Sequence, residues 1–378
     1  MKIIIDDRIP YMQGFAEKLG EVVYLPGSAI TAADVRDADA LIIRTRTRCN
    51  RELLEGSRVR FIATATIGYD HLDTDYLRQA GIAWTNCPGC NAQSVTQYVL
   101  CSLLQLLGHE CWHERWFEPS KLLPLQSPVS EYAPHWLGEF AHLTVGVVGC
   151  GHVGSEVFYM AYRLRCKQIL CCDPFADNLM AHDKHATFVS LETIAKECDI
   201  ITFHTPLTQA PTPHPTYHLA DEHFFSLLKP WAVVINASRG EVVDTQALKA
   251  ALKEKRIRAA VVDTWENEPN IDRELLDLAY IATPHIAGYS ADGKANGTRM
   301  ALKAVAEFFG QPTEMFDHIC PPSIPWDYVY DETLPKNKEA FDILRLYDPA
   351  RDTRELKAHP EQFEQLRSHY PLRRESRH

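Results

Sequence analysis

The chain has 378 residues, 46% of them hydrophobic and 24% charged, with 39 basic against 50 acidic side chains and a net charge of −11. That length is more than one hydrophobic core needs and predicts two or three domains, while an acidic surface argues against a nucleic-acid or anionic-membrane partner. No run approaches the roughly 18 apolar residues of a membrane span, residues 1–7 read as a strand and not a secretory leader, and 11 scattered cysteines fit reduced thiols, so the expected location is cytoplasmic.

In chain order, short β-branched runs at residues 2–5, 21–25, 40–44 and 61–65 alternate with helical patterns. Such alternation predicts a parallel sheet covered on both faces. An apolar helix is expected over 93–107, followed by a polar, proline-bearing stretch from about 109 to 140 that reads as an irregular insertion. A new βαβ series opens at Leu143, with strands expected at 144–148, 168–172, 200–203, 231–236, 259–262 and 280–282. The proline-rich stretch 205–218 reads as a loop and the alanine-rich 291–309 as a long helix. Beyond residue 311 the chain is charged and aromatic with few strand runs, which suggests a small appended domain.

The sharpest local signal is Gly149-Cys150-Gly151-His152-Val153-Gly154, which follows an apolar strand and opens a helical run over 155–164. Glycines at these spacings permit a tight turn and let the backbone approach a pyrophosphate, whose charge meets free N–H groups at the helix start. Alone, a glycine-rich turn says little. Here Asp173 ends the next strand about twenty residues on, where its carboxylate would bind the adenosine ribose. A carboxylate there repels a 2′-phosphate, and the next residue is Pro174 with no arginine directly following, so NAD is expected over NADP.

Three later segments each begin at or just past the carboxyl end of an expected strand: Asn236-Ala237-Ser238-Arg239-Gly240, then 263–269 from Asp263 to Pro269, then Thr283-Pro284-His285-Ile286-Ala287-Gly288-Tyr289. In an open α/β sheet those ends line the ligand crevice. An arginine, a carboxylate and a histidine are thus delivered to one place. Oxidising a 2-hydroxy acid needs such a set: a histidine to take the hydroxyl proton, a carboxylate to fix its tautomer, and an arginine to hold the substrate carboxylate bidentately.

With these segments the sequence resembles the D-isomer-specific 2-hydroxyacid dehydrogenases across roughly residues 1 to 310. The resemblance implies an α/β fold of two doubly wound parallel-sheet, Rossmann-like domains with a cleft between them, plus a small carboxy-terminal α+β domain for dimerisation. Residues 1–104 and 288–310 would form the substrate-binding domain, 105–287 the NAD-binding domain with the insertion at about 109–140, and 311–378 the dimerisation domain. His285 would be the acid–base, Glu268 its partner and Arg239 the substrate-binding arginine. Gly149, Gly151, His152, Val153, Gly154, Asp173, Thr205, Ala237, Ser238, Arg239, Asp263 and Gly288 would contact NAD.

Several further signs resemble a branch of the family that takes a small phosphorylated hydroxy acid: Pro88-Gly89-Cys90-Asn91-Ala92, the run Thr64-Ala65-Thr66 with Gly68 and Asp70-His71, and His-Ile-Ala-Gly-Tyr continuing to Gly293-Lys294. Thr45, Thr66 and Tyr289 match its substrate contacts. Arg44, Arg46 and Arg48 alternate with Thr45 and Thr47; in an extended segment the arginines would share one face, where Arg44 and Arg46 could meet the phosphate, or form a solvated edge. Thr45 and Gln97 depart from the branch's usual serine and glutamate, and the tail is shorter. An alternative within the family would take 3-phosphoglycerate, glycerate or lactate; outside catalysis, the family also has NAD-sensing corepressor relatives. No metal is expected: His109-Glu110-Cys111-Trp112-His113 fits the HExxH zinc pattern but lacks a strong third ligand, and Cys87-Pro88-Gly89-Cys90 lacks the second pair of a structural zinc site and reads as a turn.

Overall fold

The computed structural model describes residues 1–107, 140–175, 180, 182–325 and 342–375. Of the insertion expected over about 109–140, all but Phe140 lies outside the described residues, its HExxH-like run included. The chain divides into two compact units, one of Met1–Asn91 with Ser290–Ile324 and one of Ala92–Tyr289 with Pro325–His378.

The first unit holds strands β1 Lys2–Asp6, β2 Glu21–Leu25, β3 Ala40–Ile43, β4 Phe61–Thr64 and β5 Ala83–Thr85. All pair in parallel, in the order β2-β1-β3-β4-β5. Successive side chains leave opposite faces of a strand, and two separate cores result. Ile3, Ile5, Ile42 and Ala63 fill one, Ile4, Leu41, Ile43 and Ile62 the other. Helix Ala291–Phe308 covers the first with Ala301, Leu302 and Val305, and Phe308 stacks on Phe61 with ring centroids 4.6 Å apart.

β3 stops at Ile43, one residue before the alternating arginines. The chain then enters a turn closed by Thr47 N donating to the Arg44 carbonyl at 3.4 Å. The arginines and threonines therefore do not sort onto two faces: Thr45 and Arg46 are both exposed, while Thr47 is buried and its hydroxyl donates to the Gly27 carbonyl at 2.8 Å. A turn has no period of two, so the alternation carries no facial meaning.

The second unit holds β6 Thr144–Val148, β7 Gln168–Cys172, β8 Thr187–Phe188, β9 Ile200–Phe203, β10 Val233–Asn236, β11 Ala259–Val262 and β12 Ile281–Ala282. These seven run parallel in the order β12-β11-β10-β9-β6-β7-β8. The order reverses between β6 and β9, which makes the carboxyl ends of those two strands the switch point where such sheets bind ligands. Helix Ala92–Leu107 belongs to this unit from its first residue, because Val95, Val99, Leu103 and Leu106 share one core with Val145, Val157 and Ala161.

The stretch beyond 311 does not stand apart as one further unit: residues up to 324 go with the first unit and the rest with the second. Helix Pro349–Ala358 lies along β12, the edge of the seven-stranded sheet. Thr353 Oγ1 accepts the Ala282 N–H at 3.0 Å, and Gln105 Nε2 donates to Asp348 Oδ1 at 2.7 Å. A two-residue edge strand leaves unpaired backbone groups, and covering them favours burial of the tail there.

Candidate active site

The glycine-rich turn sits at the switch point. Gly149 has φ +89°, and a Cβ there would lie 2.8 Å from the His204 carbonyl oxygen, so β6 and β9 approach through a position only glycine tolerates. A Cβ on Gly154 would lie 1.9 Å from the Gly149 oxygen, so the helix His152–Arg163 closes tightly on the turn. Gly151 is the opposite case: a Cβ there would meet nothing within 4 Å. It is also the helix N-cap, and no side chain caps the first N–H groups. Close-packed flanks, an open middle and uncapped donors fit a pyrophosphate. Asp173 lies beneath, with Oδ2 accepting from Cys150 N at 2.7 Å and Oδ1 from Phe175 N at 3.0 Å. Across the turn, Thr205 Oγ1 is buried with no hydrogen-bond partner among the described residues, as is Nδ1 of the half-buried His204. Burial pushes the His204 ring down to about 3, so it is neutral at working pH and cannot serve as a charged acid.

The Arg239, Glu268 and His285 loops leave adjacent strands β10, β11 and β12. Asn236, the last residue of β10, shapes the first loop: its Oδ1 accepts from Ser238 N and Oγ at 3.2 and 2.9 Å, and its Nδ2 donates to the Arg239 carbonyl at 2.9 Å. Arg239 Nη1 donates to the Ser238 carbonyl at 2.8 Å. At Gly240 a Cβ would lie 2.0 Å from the Trp265 carbonyl carbon, so the arginine loop rests directly on the backbone of the glutamate loop. Trp265 in turn joins all three loops. Its indole is buried, and Nε1 donates to the Thr283 carbonyl at 2.9 Å while its backbone N donates to Glu268 Oε1 at 3.0 Å.

His285 has φ +56°, a left-handed backbone that costs a non-glycine residue about 1–3 kcal/mol. It is held by its own N–H donating to the Asp263 carbonyl at 2.8 Å. The buried Asp263 carboxylate accepts the Thr283 hydroxyl at 2.6 Å and the N–H groups of Ile286 and Ala287 at 2.8 and 2.9 Å. Burial raises its pKa, with the charge of His285 and these hydrogen bonds pulling the other way. Its carboxylate thus braces the histidine loop from beneath.

The ring of His285 faces Glu268, with Nδ1 at 2.8 Å from Oε2 and 3.1 Å from Oε1. Burial alone would raise the Glu268 carboxyl; the His285 hydrogen bond and charge, the Trp265 N–H and the Arg367 charge outweigh it and hold the group below the usual glutamate range. Histidine and carboxylate form a hydrogen-bonded dyad, an arrangement that can fix the ring's tautomer for proton transfer.

Comparisons with known proteins identify the relatives of the chain. A family model described as "D-isomer specific 2-hydroxyacid dehydrogenase, NAD binding domain" matches residues 124–287. The erythronate-4-phosphate dehydrogenase of Bacteroides thetaiotaomicron is 49% identical over 380 residues, covering 100% of this chain and 98% of that one. The enzyme of the same name from Porphyromonas gingivalis is 39% identical over 99% of this chain and 94% of its own. The chain belongs to the erythronate-4-phosphate dehydrogenase family. It is an NAD-dependent dehydrogenase, and the resemblance read from its His-Ile-Ala-Gly-Tyr segment is borne out. Among solved structures, D-lactate dehydrogenase from Aquifex aeolicus, complexed with NAD and lactic acid, is similar over 85% of this chain and all of its own, with TM-score 0.64 and 26% identity.

The remaining candidates divide between the units. In the second, Val153 and Ala237 pack against the core beside the turn, His152 is exposed at the helix start, Ser238 is buried, and Gly288 and Tyr289 are half-buried after the dyad histidine. In the first, Thr66 Oγ1 lies 2.6 Å from Thr64 Oγ1 and donates to the Gly68 carbonyl at 2.9 Å, with Thr64 Oγ1 3.0 Å from His71 Nε2. Arg44 Nη1 donates to the Arg8 carbonyl at 3.1 Å. Cys87 and Cys90 are buried cysteines flanking a turn, as that spacing reads. Sequence reasoning passed over Asn236, Trp265, Arg367 and Arg373. A strand-ending asparagine two residues before a serine signals a side-chain turn and could have flagged Asn236; nothing local marks the others.

Proposed function

We propose that the chain oxidises 4-phospho-D-erythronate to 2-oxo-3-hydroxy-4-phosphobutanoate, a step of pyridoxal 5′-phosphate biosynthesis. The observation that carries this reading is the His285–Glu268 pair, 2.8 Å apart, in a chain 49% identical to an erythronate-4-phosphate dehydrogenase. NAD, when bound, supplies the hydride acceptor. The chain's own residues handle the proton and the anionic groups. With Nδ1–H donated to Glu268, Nε2 is the ring nitrogen that takes the hydroxyl proton as the C2–H bond breaks; the O–H electron pair becomes the new carbonyl bond. Glu268 stabilises the imidazolium so formed. Arg239 holds the substrate carboxylate and polarises the developing carbonyl.

In this reading Gly149, Gly151, His152, Val153, Gly154, Asp173, Thr205, the Ala237–Ser238–Arg239 run and Gly288 contact NAD, with Asp263 supporting the loop from below. The unpartnered Thr205 hydroxyl supports that set. Thr45, Thr66 and Tyr289 contact substrate, and Arg44 and Arg46 supply charge for its phosphate. We further place the enzyme in the cytoplasm as a homodimer; among the described residues no helix is long and apolar enough to cross a membrane.

The test is kcat/KM with NAD on 4-phosphoerythronate, erythronate, 3-phosphoglycerate, glycerate and D-lactate. The phosphorylated four-carbon acid should lead, and His285→Ala should lower its kcat by about 10²–10⁴-fold, the worth of a positioned acid–base. Preference for another acid would overturn the substrate. Near-normal turnover in His285→Ala would remove histidine from the mechanism. NAD binding without turnover of any acid would favour a sensor.

A further inference from the structure

Two arginines of the carboxy-terminal segment reach the dyad loops within the second unit. Arg373 is fully buried. Its Nη1 donates to the carbonyls of Ile286 and Tyr289 at 2.9 and 3.2 Å, and its Nη2 to those of Ala287 and Ser94 at 2.5 and 3.2 Å. Nη2 also meets Ser94 Oγ at 3.1 Å, Nε donates to Gln97 Oε1 at 3.2 Å, and the guanidinium lies 3.9 Å from the Tyr347 ring centroid. Desolvating a guanidinium costs several kcal/mol, so such a group persists only where its donors are well used. Three of the carbonyls it holds belong to residues 286, 287 and 289, directly after His285.

Arg367 is half-buried, and its Nη1 lies 3.4 Å from Glu268 Oε2. It also hydrogen-bonds the Tyr289 side chain, against which Tyr370 packs edge-on with centroids 6.4 Å apart. We propose that the carboxy-terminal segment is a working part of the catalytic centre: Arg373 fixes the main chain that carries His285, and Arg367 sets the charge felt by the Glu268–His285 pair. Both are positioning residues, and the inference rests on the dyad being the proton-transfer pair.

The two roles leave different signatures. Among the described residues, Arg367 faces Glu268, the charge of His285 acts on Asp263, and that of Glu364 acts on Arg367. Removing the Arg367 cation makes the pair hold its proton to higher pH. Oxidation needs the pair proton-free and reduction needs it protonated, so the acid limb of the oxidation profile and the alkaline limb of the reduction profile both move upward. In Arg367→Gln a shift of about one pH unit is expected, the low end for a cation within roughly 4–6 Å, and Arg367→Lys should restore both limbs. Arg373→Lys keeps a charge but loses the planar fork; it should lower kcat about tenfold or more and leave the limbs in place.

The experiment is the pH dependence of kcat/KM in both directions for the full chain with NAD or NADH, beside melting temperature and NAD affinity. Unmoved limbs in a folded Arg367→Gln protein, or Arg373→Lys with wild-type kcat, would overturn the proposal. If Arg367→Gln does not fold, Glu364→Gln takes its place; it removes an opposing charge and should move the limbs downward, and no movement counts against the proposal equally. His285→Ala separates the two levels: an inactive His285→Ala with unmoved Arg367→Gln limbs sinks only the role of the tail, whereas an active His285→Ala sinks the dyad itself.

Discussion

Thr205 carries a hydroxyl that is buried beside the glycine-rich turn and has no partner among the described residues. An unpaired buried polar atom costs about 1–3 kcal/mol, and a site built to receive a ligand is where such a cost is tolerated. Thr205→Val should therefore leave the melting temperature unchanged or higher while weakening NAD about tenfold, the worth of one hydrogen bond of roughly 1.4 kcal/mol. Isothermal titration with NAD, beside a thermal melt, checks both halves; an unaltered dissociation constant would take the hydroxyl out of the cofactor site. His285 and Glu268 were legible as residue types, because proton transfer near neutral pH selects few side chains. Their partners were not. Arg367 meets Glu268 across 99 residues of chain, and no local pattern encodes a contact of that span.

At the scale of elements, the β-branched runs were readable, the two-residue β12 among them, while two other short strands were not. β1, β2, β6, β7, β9 and β11 fall where the runs place them, whereas β5 Ala83–Thr85 and β8 Thr187–Phe188 have only three and two residues, too few for a period of two to register. The arginine–threonine alternation after β3 misled in the opposite way, since a turn can mimic a strand's pattern. Loop contacts are set by the sheet: the Arg239 loop rests on Trp265 only because β10 and β11 are neighbours. Gly240→Ala would put a Cβ 2.0 Å from a backbone carbon that has no rotamer to change. We expect a stability loss of about 1–3 kcal/mol or more, as for overpacking, with kcat/KM for the hydroxy acid falling further than NAD affinity. Denaturant melts beside steady-state kinetics measure this, and a variant unaltered in both would mean that the two loops do not bear on each other.

For the whole molecule, the tail matters twice. Residues 349–358 cover the β12 edge, and the resemblance assigns the carboxy-terminal region to dimerisation. Sedimentation equilibrium at micromolar concentration should give twice the 42.9 kDa chain mass; a single-chain mass would withdraw the homodimer.

The sequence by itself determined the two parallel sheets and the dinucleotide turn, because strand periodicity and glycine conformation are local properties of residues; it also offered a histidine, a carboxylate and an arginine at three strand ends, whose roles the family resemblance implies. Only the tertiary structure decided that the tail joins the nucleotide unit, that Asp263 and Trp265 knit the loops, and that Arg373 grips the carbonyls beyond His285. Those depend on which distant segments meet in space, and burial of a guanidinium or an edge strand is settled by packing alone.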